Sequence, residues 1–466
     1  MNQRLFNWFV KRVSFNLVAR YNGLGRLSSN IAFMEQSQFW PPERILEFQM
    51  GQLKKLLIHA GASTKYYKRM FSECNFNPKS FKSLDDLRKL PLLSKNDIRS
   101  NLSDMLSTKF STNELHASET GGTTGVKMKF FLDKNCFNIK EASLYRFEKW
   151  SGWAIGERMG LVWPAQQDYV GHWTWKAKLK NELFNRQVVF PAAVLDDQVI
   201  EKYINLIKIK KPSMIRAFSS PIYEVAIYIL KHNIHLHDIK GIITTGEPLY
   251  PSQRKMISQA FNCSVFDSYR CREVGPIAQE CSCHDGLHIN AENMIVEILP
   301  CEDLKTTSSC PGEIVITDLL NYGMPFIRYR MGDLAQLDNR PCECGRGLPR
   351  LYNIQGRTAD LFYSPQGKRI AAGSLVLYLV DEAPGSLGQV QIVQDCIDHI
   401  TIRLTTDPYP SDQLMEYQKE TVKRLFGGDM QVDFDIVENI PREDSGKFRF
   451  TKCLIKDNAQ NRKQAI

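Results

Sequence analysis

Short apolar segments alternate with amphipathic helical segments from about residue 116 to residue 355. The apolar segments are β-branched and end in turn residues, as in GIITTG at 241–246 and MIVEIL at 294–299. Helical patterns such as PIYEVAIYILKHN at 221–233 and PSQRKMISQAF at 251–261 precede or separate them. This alternation predicts an α/β architecture in which helices cover a largely buried sheet.

The chain changes character after about residue 360. QVQIVQD at 389–395, HITIRLTT at 399–406 and MQVDFDIVEN at 430–439 are typical of alternating strands, and 411–427 has a helical pattern. Together they predict a small α+β domain with a solvated sheet face. The sequence therefore predicts a basic N-terminal extension at 1–40, a large α/β domain at 41–358 and a small C-terminal lid domain at 359–466.

The first twenty residues are basic and aromatic. They contain Arg4, Lys11, Arg12 and Arg20 and no acidic residue. They lack the continuous apolar core and the small-residue cleavage site of a secretory signal peptide. We expect an amphipathic helix that either packs on its own domain or lies in a membrane interface.

Net charge and composition narrow the possible classes of protein. The charge of +9 comes from 60 Lys and Arg against 51 Asp and Glu, and 43% of the residues are hydrophobic. This balance suits an anionic ligand or an acidic membrane surface without requiring nucleic acid, and we expect no nucleic-acid partner. No run of about 18 apolar residues occurs, so we expect no transmembrane helix. The expected location is cytoplasmic, with peripheral contact at the inner membrane face as an open alternative.

The segment SETGGTTGVKMKFF at 118–131 combines three glycines with three threonines. Glycines let backbone N–H groups approach phosphate oxygens, threonine hydroxyls add donors and a lysine adds positive charge. The spacing is not that of a P-loop, and a plain hairpin connection is the alternative. The candidate phosphate-binding residues are Thr120, Gly121, Gly122, Thr123, Thr124, Gly125 and Lys127.

Three side chains near strand ends suit a nucleotide. Tyr269 offers a ring on which a purine can stack, and Glu273, four residues later, offers a carboxylate to Mg²⁺. Asp333 follows a glycine in RYRMGD and can accept hydrogen bonds from ribose hydroxyls. Taken singly, Tyr269 could also be a core residue and Glu273 a surface residue.

Two later segments complete the set. IQGRTADLF at 354–362 is a turn that carries Arg357 and Asp360 where the composition shifts, which indicates a hinge. IPREDSGKFRF at 440–450 is a loop marked by proline and glycine, and it carries Lys447.

In their order and spacing, these segments resemble those of the adenylate-forming superfamily, which includes acyl-CoA synthetases, adenylation domains and luciferase. The similarity is closest to its phenylacetate–CoA ligase-like branch, which includes capsule-biosynthesis proteins of the CapK type. TGGTTGVK resembles the phosphate loop, TTGEP and DSYRCRE the adenine- and magnesium-binding segments, RYRMGD the ribose-binding segment, QGRTAD the hinge and PREDSGK the catalytic-lysine loop. The resemblance covers about 40–455, and one departure is Arg272 where the superfamily usually has threonine.

The resemblance implies a large multi-layered adenylate-forming domain with a small mobile C-terminal domain. It also implies a two-step reaction in which a carboxylic acid and Mg·ATP give an acyl-adenylate and pyrophosphate. The acyl group then passes to coenzyme A, or alternatively to an amine such as an amino sugar in surface polysaccharide biosynthesis. A non-catalytic adenylate-binding scaffold is a third alternative.

The resemblance also assigns roles to individual residues. Lys447, Glu273 and Thr124 would be catalytic, with Glu273 on magnesium, and Asp360 would be the hinge. The nucleotide-binding residues would be the phosphate-loop residues given above together with Gly246, Glu247, Pro248, Asp267, Ser268, Tyr269, Asp333 and Arg357.

Four of the twelve cysteines form two C-x-C pairs, ECSCHDGLHI and CECGR, and these resemble a zinc site that some members of the branch carry. Zinc takes four tetrahedral nitrogen or sulfur ligands. The favoured set is Cys281, His288, Cys342 and Cys344, with Cys283 and His284 as alternatives. Unligated, reduced thiols are the competing interpretation.

Aromatic and polar residues crowd the stretch from 163 to 175, which we expect to face the acyl group. A buried aromatic core is the alternative, and an aryl or amino-acid-like acid would suit the first interpretation. The residues are Trp163, Gln166, Tyr169, His172, Trp173 and Trp175.

Overall fold

The computed structural model describes residues 3–120, 128–163, 175–192, 195–300, 311–357, 361–366, 369–371, 379, 389–405, 409–442 and 448–455. Its helices are α1 (Gln3–Phe9), α2 (Phe15–Tyr21), α3 (Leu27–Ser37), α4 (Pro42–Ser63), α5 (Lys65–Glu73), α6 (Leu84–Arg88), α7 (Lys95–Ser100), α8 (Leu102–Met105), α9 (Lys134–Trp150), α10 (Trp175–Lys180), α11 (Asp197–Lys210), α12 (Ser219–Lys231), α13 (Pro251–Phe261) and α14 (Asp412–Phe426). Among them, none is both long enough and apolar enough to span a bilayer.

The strands are β1 (Leu115–Glu119), β2 (Lys129–Asp133), β3 (Met159–Trp163), β4 (Gln187–Pro191), β5 (Met214–Phe218), β6 (Gly241–Thr245), β7 (Ser264–Cys271), β8 (Gly275–Glu280), β9 (Leu287–Ile289), β10 (Met294–Leu299), β11 (Gly312–Asp318), β12 (Tyr329–Asp338), β13 (Arg350–Arg357), β14 (Leu361–Tyr363), β15 (Arg369–Ala371), β16 (Val390–Cys396), β17 (His399–Thr405), β18 (Gln431–Val437) and β19 (Thr451–Cys453). The helical and strand segments that the sequence analysis picked out agree with these bounds to within a few residues.

An 11-stranded sheet forms the centre of the large domain, in the order β10-β11-β12-β13-β9-β8-β7-β6-β5-β3-β4. Strands β4, β3, β5, β6 and β7 run parallel, and every pairing from β7 to β10 is antiparallel. Helices α11, α12 and α13 connect the parallel strands and pack on one face. The sequence-based fold class, an α/β domain with a smaller C-terminal domain, is confirmed.

Helix α9 covers the opposite face of the sheet. It begins after Asp133, whose carboxylate accepts hydrogen bonds from the N–H groups of Asn135 and Cys136 and so satisfies the free helix end. Its buried Arg146 donates to both carboxylate oxygens of Glu292, at 2.6 and 3.2 Å. Such a fully buried bidentate pair fixes the helix against the segment that follows β9.

The C-terminal domain is a four-stranded sheet, β18-β17-β16-β19, with α14 packed against it. β17 alternates as the sequence predicts, but β16 is buried at five consecutive residues. The prediction of an alternating strand was wrong there because β16 is a central strand whose polar face is also covered. Gln394 of β16 exchanges hydrogen bonds with the backbone of Tyr363 in β14. The domain boundaries at 40/41 and 358/359 stay predictions.

Candidate active site

The predicted phosphate loop joins two antiparallel strands, β1 and β2. Its base is closed by Thr120, whose N–H donates to the carbonyl of Met128 at 2.9 Å and whose hydroxyl accepts from the N–H of Met128 at 3.0 Å. Gly121, Gly122, Thr123, Thr124, Gly125 and Lys127 lie outside the described residues. Thr120 is buried at the foot of the loop, so its described role is to hold the hairpin together.

Glu273 lies beside the base of this hairpin. Its carboxylate accepts a 3.0 Å hydrogen bond from the hydroxyl of Tyr329 and is 3.7 Å from the ammonium of Lys95. The preceding Arg272 donates to the carbonyl of Glu119 at 3.3 Å, which ties the segment to β1. The carboxylate is largely buried and lies beyond hydrogen-bond distance of the Lys95 ammonium, so it retains acceptor capacity for a metal ion.

Tyr269 and Asp333 come together although they are 64 residues apart. The tyrosine hydroxyl donates to a carboxylate oxygen of Asp333 at 2.5 Å. Burial, with the charge of Asp333, raises the pKa of Tyr269 well above its ordinary value, so the ring stays protonated and donating. The ring of Tyr269 and the carboxylate of Asp333 thus form one wall of the candidate site. Glu273 lies four residues after Tyr269, in the turn that follows β7.

The TTGEP segment consists of the last two residues of β6 and the tight turn that follows them. Gly246 has φ +83°, and a Cβ there would lie 2.5 Å from the ring of Phe218, so glycine is required. Glu247 is buried and accepts hydrogen bonds from the N–H and hydroxyl of Ser220 at 2.9 and 2.6 Å. Pro248 continues the turn toward α13.

Glu247 also connects the two domains. Its second carboxylate oxygen accepts from the N–H of Phe448 at 2.6 Å. Arg442 donates to Ser220 at 2.6 Å and pairs with Glu224 at 2.7 Å. The C-terminal loop is therefore attached to the large domain on both sides of residues 443–447.

Three of the predicted site residues belong to the C-terminal loop and the hinge: Lys447, Asp360 and Arg357. Lys447 and Asp360 lie outside the described residues. The backbone of Arg357 pairs with Asp333 across β13 and β12. The backbone of Arg357 is therefore held next to the Tyr269–Asp333 wall by strand register.

Asp267 and Ser268 point to opposite faces of β7. Burial, with the nearby charge of Glu280, raises the pKa of Asp267 to about 7, and Arg254 opposes the shift. The carboxylates of Asp267 and Glu280 are neighbours because the N–H of Asp267 donates to Glu280 at 2.9 Å. Ser268 is buried on the other face, which α9 covers.

A Cys/His cluster lies where the turn after β8 and strand β9 meet the loop before β13. The ligand atoms of Cys281, His288, Cys342 and Cys344 all lie within 4.8 Å of one another. The Sγ atoms of Cys281 and Cys342 are 3.8 Å apart, close to the separation of about 3.8 Å that tetrahedral Zn–S bonds of about 2.3 Å would give. The alternatives lie apart, since Cys283 is exposed and His284 contacts Glu280.

The histidine of this cluster is oriented for a metal. Nδ1 of His288 is 3.0 Å from the carbonyl of Leu348, a contact that requires a proton on Nδ1, and Nε2 is 3.3 Å from Sγ of Cys344. Burial lowers the pKa of His288 to about 4, which keeps the imidazole neutral. A neutral ring with its free lone pair facing three thiols is the form that binds zinc. The donor set therefore fits the metal.

Several known proteins resemble this chain in sequence. Residues 362–453 match the family described as the CapK C-terminal domain. Protein CapK of Staphylococcus aureus is 25% identical over 420 residues, covering 88% of this chain and 90% of that protein. A phenylacetate–coenzyme A ligase of Thermus thermophilus is 27% identical over 334 residues, covering 69% and 72%. In sequence, this chain is therefore similar to CapK and to phenylacetate–CoA ligases.

Solved structures share the fold of this chain. A 2-hydroxyisobutyryl-CoA ligase in its postadenylation state superposes with a TM-score of 0.72 at 21% identity, covering 92% of this chain and 93% of that one. The same protein in its thioesterification state gives a TM-score of 0.59. An amide bond synthetase from Marinactinospora thermotolerans gives 0.51 at 14% identity, covering 72% and 67%.

Sequence reasoning about the ligase missed several residues in and around the site. Ser220, Glu224 and Arg442 connect the domains, and Arg216 and Arg270 lie in β5 and β7. A signal was present for the last two, because an arginine inside an apolar run such as MIRAF is unusual for a buried strand. The predicted acyl-facing stretch is described only at its ends: Trp163 closes β3, and Trp175 begins α10 with its ring 70% exposed. Gln166, Tyr169, His172 and Trp173 lie outside the described residues.

Proposed function

We propose that this ligase activates a carboxylic acid as an acyl-adenylate and then transfers the acyl group to coenzyme A. The observation that carries the proposal is the convergence, at one edge of the sheet, of the hairpin base, Glu273, the Tyr269–Asp333 pair and Glu247. In an adenylation reaction, the hairpin would bind the phosphates, Glu273 the metal ion and the Tyr269–Asp333 pair the nucleoside. Glu247 would hold the two domains together.

In the first half-reaction, a carboxylate oxygen of the acid attacks the α-phosphorus of ATP. The bond to the β-phosphate breaks, pyrophosphate leaves and an acyl-adenylate remains. In the second, a thiolate attacks the acyl carbon and AMP leaves. The chemistry needs alignment and charge neutralisation more than covalent help from the protein.

Each group has a proposed role. Asp333 accepts hydrogen bonds from the ribose, Tyr269 packs against adenine, and the loop after Thr120 holds the phosphates. Mg²⁺, held by Glu273, would neutralise phosphate charge. Lys447 supplies a positive charge between the acid and the α-phosphate, and Asp360 is the pivot of the lid.

The domain arrangement favours the first half-reaction. Arg442 and Phe448 hold both sides of the 443–447 loop against Ser220, Glu224 and Glu247. The arrangement also superposes better on the postadenylation than on the thioesterification state of the hydroxyisobutyryl-CoA ligase. The contacts of Arg442 with Ser220 and Glu224 would have to break before the C-terminal domain could rotate and present another face to the active site.

Transfer to an amine is the second candidate. The observations that favour it are the CapK relative and C-terminal domain, and the likeness in fold to an amide bond synthetase. The two candidates share the first half-reaction and differ only in the nucleophile of the second.

Product analysis tests the function and separates the candidates. The protein is incubated with ATP, Mg²⁺ and a panel of carboxylic acids, with either coenzyme A or a panel of amino sugars and amino acids. We expect AMP and pyrophosphate in equal amounts with an acyl-CoA thioester. An amide in place of the thioester would support the second candidate, and ATP binding without turnover for any acid would indicate a scaffold.

We also propose that Cys281, His288, Cys342 and Cys344 hold a structural zinc ion. When bound, zinc would contribute folding free energy by cross-linking the turn after β8, strand β9 and the loop before β13. All four protein ligand positions of a tetrahedral site are filled by Cys and His, which suits structural support.

Replacing Cys344 with serine is expected to abolish stoichiometric zinc binding and to lower the midpoint of thermal unfolding. The matched control is Cys283→Ser, which removes an exposed thiol from the neighbouring C-x-C pair and should retain one zinc per chain. Elemental analysis and thermal unfolding measure both effects. Equal zinc content in the two variants, or no zinc in protein purified from zinc-supplemented cells, would contradict the assignment.

We further propose that the N-terminal helices lie on an anionic membrane surface. Their inner side packs on the domain, where Phe15 stacks on Phe184 at 5.0 Å and the Ser14 hydroxyl donates to the carbonyl of Leu183 at 2.6 Å. Their outer side keeps apolar residues exposed at a spacing of four. These exposed residues are Leu5, Phe9, Val13, Leu17 and Tyr21.

Basic residues flank this stripe. Lys11, Arg12 and Arg20 are exposed beside it, and the adjacent α10 exposes Trp175 and Leu179 between further lysines. Apolar residues framed by cations, without an acid in the first twenty residues, complement an anionic bilayer.

Replacing Leu17 with glutamate is expected to weaken binding to vesicles of phosphatidylcholine with phosphatidylglycerol by about tenfold or more, because it removes buried apolar area and adds repulsion. Leu46→Glu, at an exposed leucine of α4, is the matched control and should bind like the wild type. Co-sedimentation measures binding. Absence of wild-type binding, or equal loss in both variants, would contradict the proposal.

A further inference from the structure

The α9-facing side of the parallel strands changes from apolar to polar toward the carboxyl ends of the strands. Its lower layer is an apolar cluster of Trp153, Met159, Leu161, Met214, Ile243 and Phe266. One pleat further along, the residues on the same face are Trp163, Arg216, Thr245, Ser268 and Arg270. We call these five residues the polar layer. Polar side chains from three neighbouring strands, with Trp163 of a fourth beside them, are unusual beneath a buried helix.

Arg216 is the centre of the polar layer. It is largely buried and pairs with Glu148 of α9, and its guanidinium carbon is 5.8 Å from the ring centroid of Trp163. Within the described residues, its Nε and the buried hydroxyl of Thr245 have no hydrogen-bond partner. Buried polar groups without partners carry a free-energy cost, which a bound ligand with acceptor atoms would offset.

Arg270 adds a second positive charge. It donates to two neutral groups, the Ser268 hydroxyl at 2.6 Å and the Gln279 side chain at 2.8 Å. Burial, reinforced by the charge of Arg216, lowers the pKa of Arg270 to about 9. No ion pair between Arg270 and a carboxylate occurs among the described residues, although part of its surface remains accessible.

The two guanidinium groups differ in their partners. Arg216 pairs with Glu148, whereas Arg270 donates to neutral groups and has no carboxylate within ion-pair distance among the described residues. A buried guanidinium without a carboxylate partner, beside unused donors, fits a negatively charged ligand.

The polar layer adjoins the proposed adenylation site. Successive side chains of β7 alternate between faces, so Tyr269 contacts Asp333 on one side while Ser268 and Arg270 face α9 on the other. Ligands of α/β sheets bind at the carboxyl ends of the strands, where the polar layer lies. An acyl group attached to the nucleotide could therefore reach it.

We propose that the acid activated by this ligase carries a second anionic group, as a dicarboxylic acid does, and that Arg270 together with Arg216 binds that group. The inference rests on the proposed acyl-adenylate function and specifies its substrate class. Arg270 would set specificity through charge-assisted hydrogen bonds to the distal carboxylate, and Trp163 would pack against the intervening carbons.

The test is acid-dependent ATP–pyrophosphate exchange with dicarboxylic acids and with the monocarboxylic acids of equal chain length. For the wild type, kcat/KM is expected to favour a dicarboxylic acid by at least about 100-fold, because a site built to hydrogen-bond a substrate group rejects the analogue that lacks it by about 10⁴-fold or more. Arg270→Gln should remove that preference chiefly by raising KM for the dicarboxylic acid, and should change the monocarboxylic values by only a few-fold. Arg270→Lys should recover part of the preference.

The outcomes separate this inference from the proposed function. A wild-type preference for monocarboxylic acids would overturn the inference while leaving acyl-adenylate formation intact, and this comparison needs no variant. Equal losses for both acid classes in Arg270→Gln would show a structural role and would also overturn it. If no carboxylic acid supported exchange, both the proposed function and the inference would be overturned.

Discussion

Replacing Lys447 with alanine is expected to slow acyl-adenylate formation by at least about 100-fold, equivalent to about 2.7 kcal/mol of transition-state stabilisation. The lysine would supply the positive charge that lets an anionic carboxylate approach the α-phosphate. Transfer from a chemically supplied acyl-adenylate should change much less, because that step begins after the two anions have been joined. Rapid-quench measurement of each half-reaction gives both rates.

The control for this variant is Lys452→Ala, which removes a lysine of β19 in the same domain. It should leave both half-reactions within a few-fold of the wild type, and both variants should keep the thermal unfolding midpoint, since such substitutions shift stability by about 0.5 kcal/mol or less. Equal losses in the two half-reactions of Lys447→Ala, or no loss in either, would show that Lys447 does not serve adenylation.

Glu273→Gln should lower the adenylation rate by about 100-fold or more and raise the Mg²⁺ concentration needed for half-maximal rate. The amide keeps an acceptor for the Tyr329 hydroxyl but loses the negative charge that a hard cation prefers. The measurement is the exchange rate as a function of Mg²⁺ concentration at fixed ATP.

Tyr329→Phe is the companion variant for Glu273. It removes the 3.0 Å hydrogen bond to the carboxylate but leaves the charge, so the Mg²⁺ requirement should stay close to that of the wild type. An unchanged Mg²⁺ dependence in Glu273→Gln would contradict the assignment of the carboxylate to the metal.

Local pattern was enough to predict most elements of the fold. GIITTG and MIVEIL became β6 and β10 because β-branched runs bounded by turn residues suit a buried sheet, and PSQRKMISQAF became α13, with proline at its first turn. The Cys/His cluster was also within reach, since two chelating segments restrict the choice to six residues. Choosing among the six needed the pairing of β9 with β13, which brings His288 beside the second segment.

Contacts across long sequence separations were beyond sequence reasoning. Arg442 contacts Ser220 and Glu224, which are more than two hundred residues away in the sequence. The sequence IPREDSGKFRF gives no indication of these partners. The burial of β16 depends on the β14–β15 hairpin that covers it. The alternation of apolar and polar residues in its own sequence therefore predicted a solvated face that the strand does not have. Arg270 illustrates both limits: its position in a strand was predictable, but the lack of a carboxylate partner for it among the described residues was visible only after α9 had been placed over the sheet.

Acid-dependent exchange of labelled pyrophosphate into ATP, with no acceptor present, tests the central claim most directly. The account predicts exchange that requires a carboxylic acid and Mg²⁺, continues without coenzyme A or an amine, and is accompanied by an enzyme-bound acyl-adenylate in the mass spectrum. Pyrophosphate exchange that is absent for every acid, or that occurs without any acid, would contradict it.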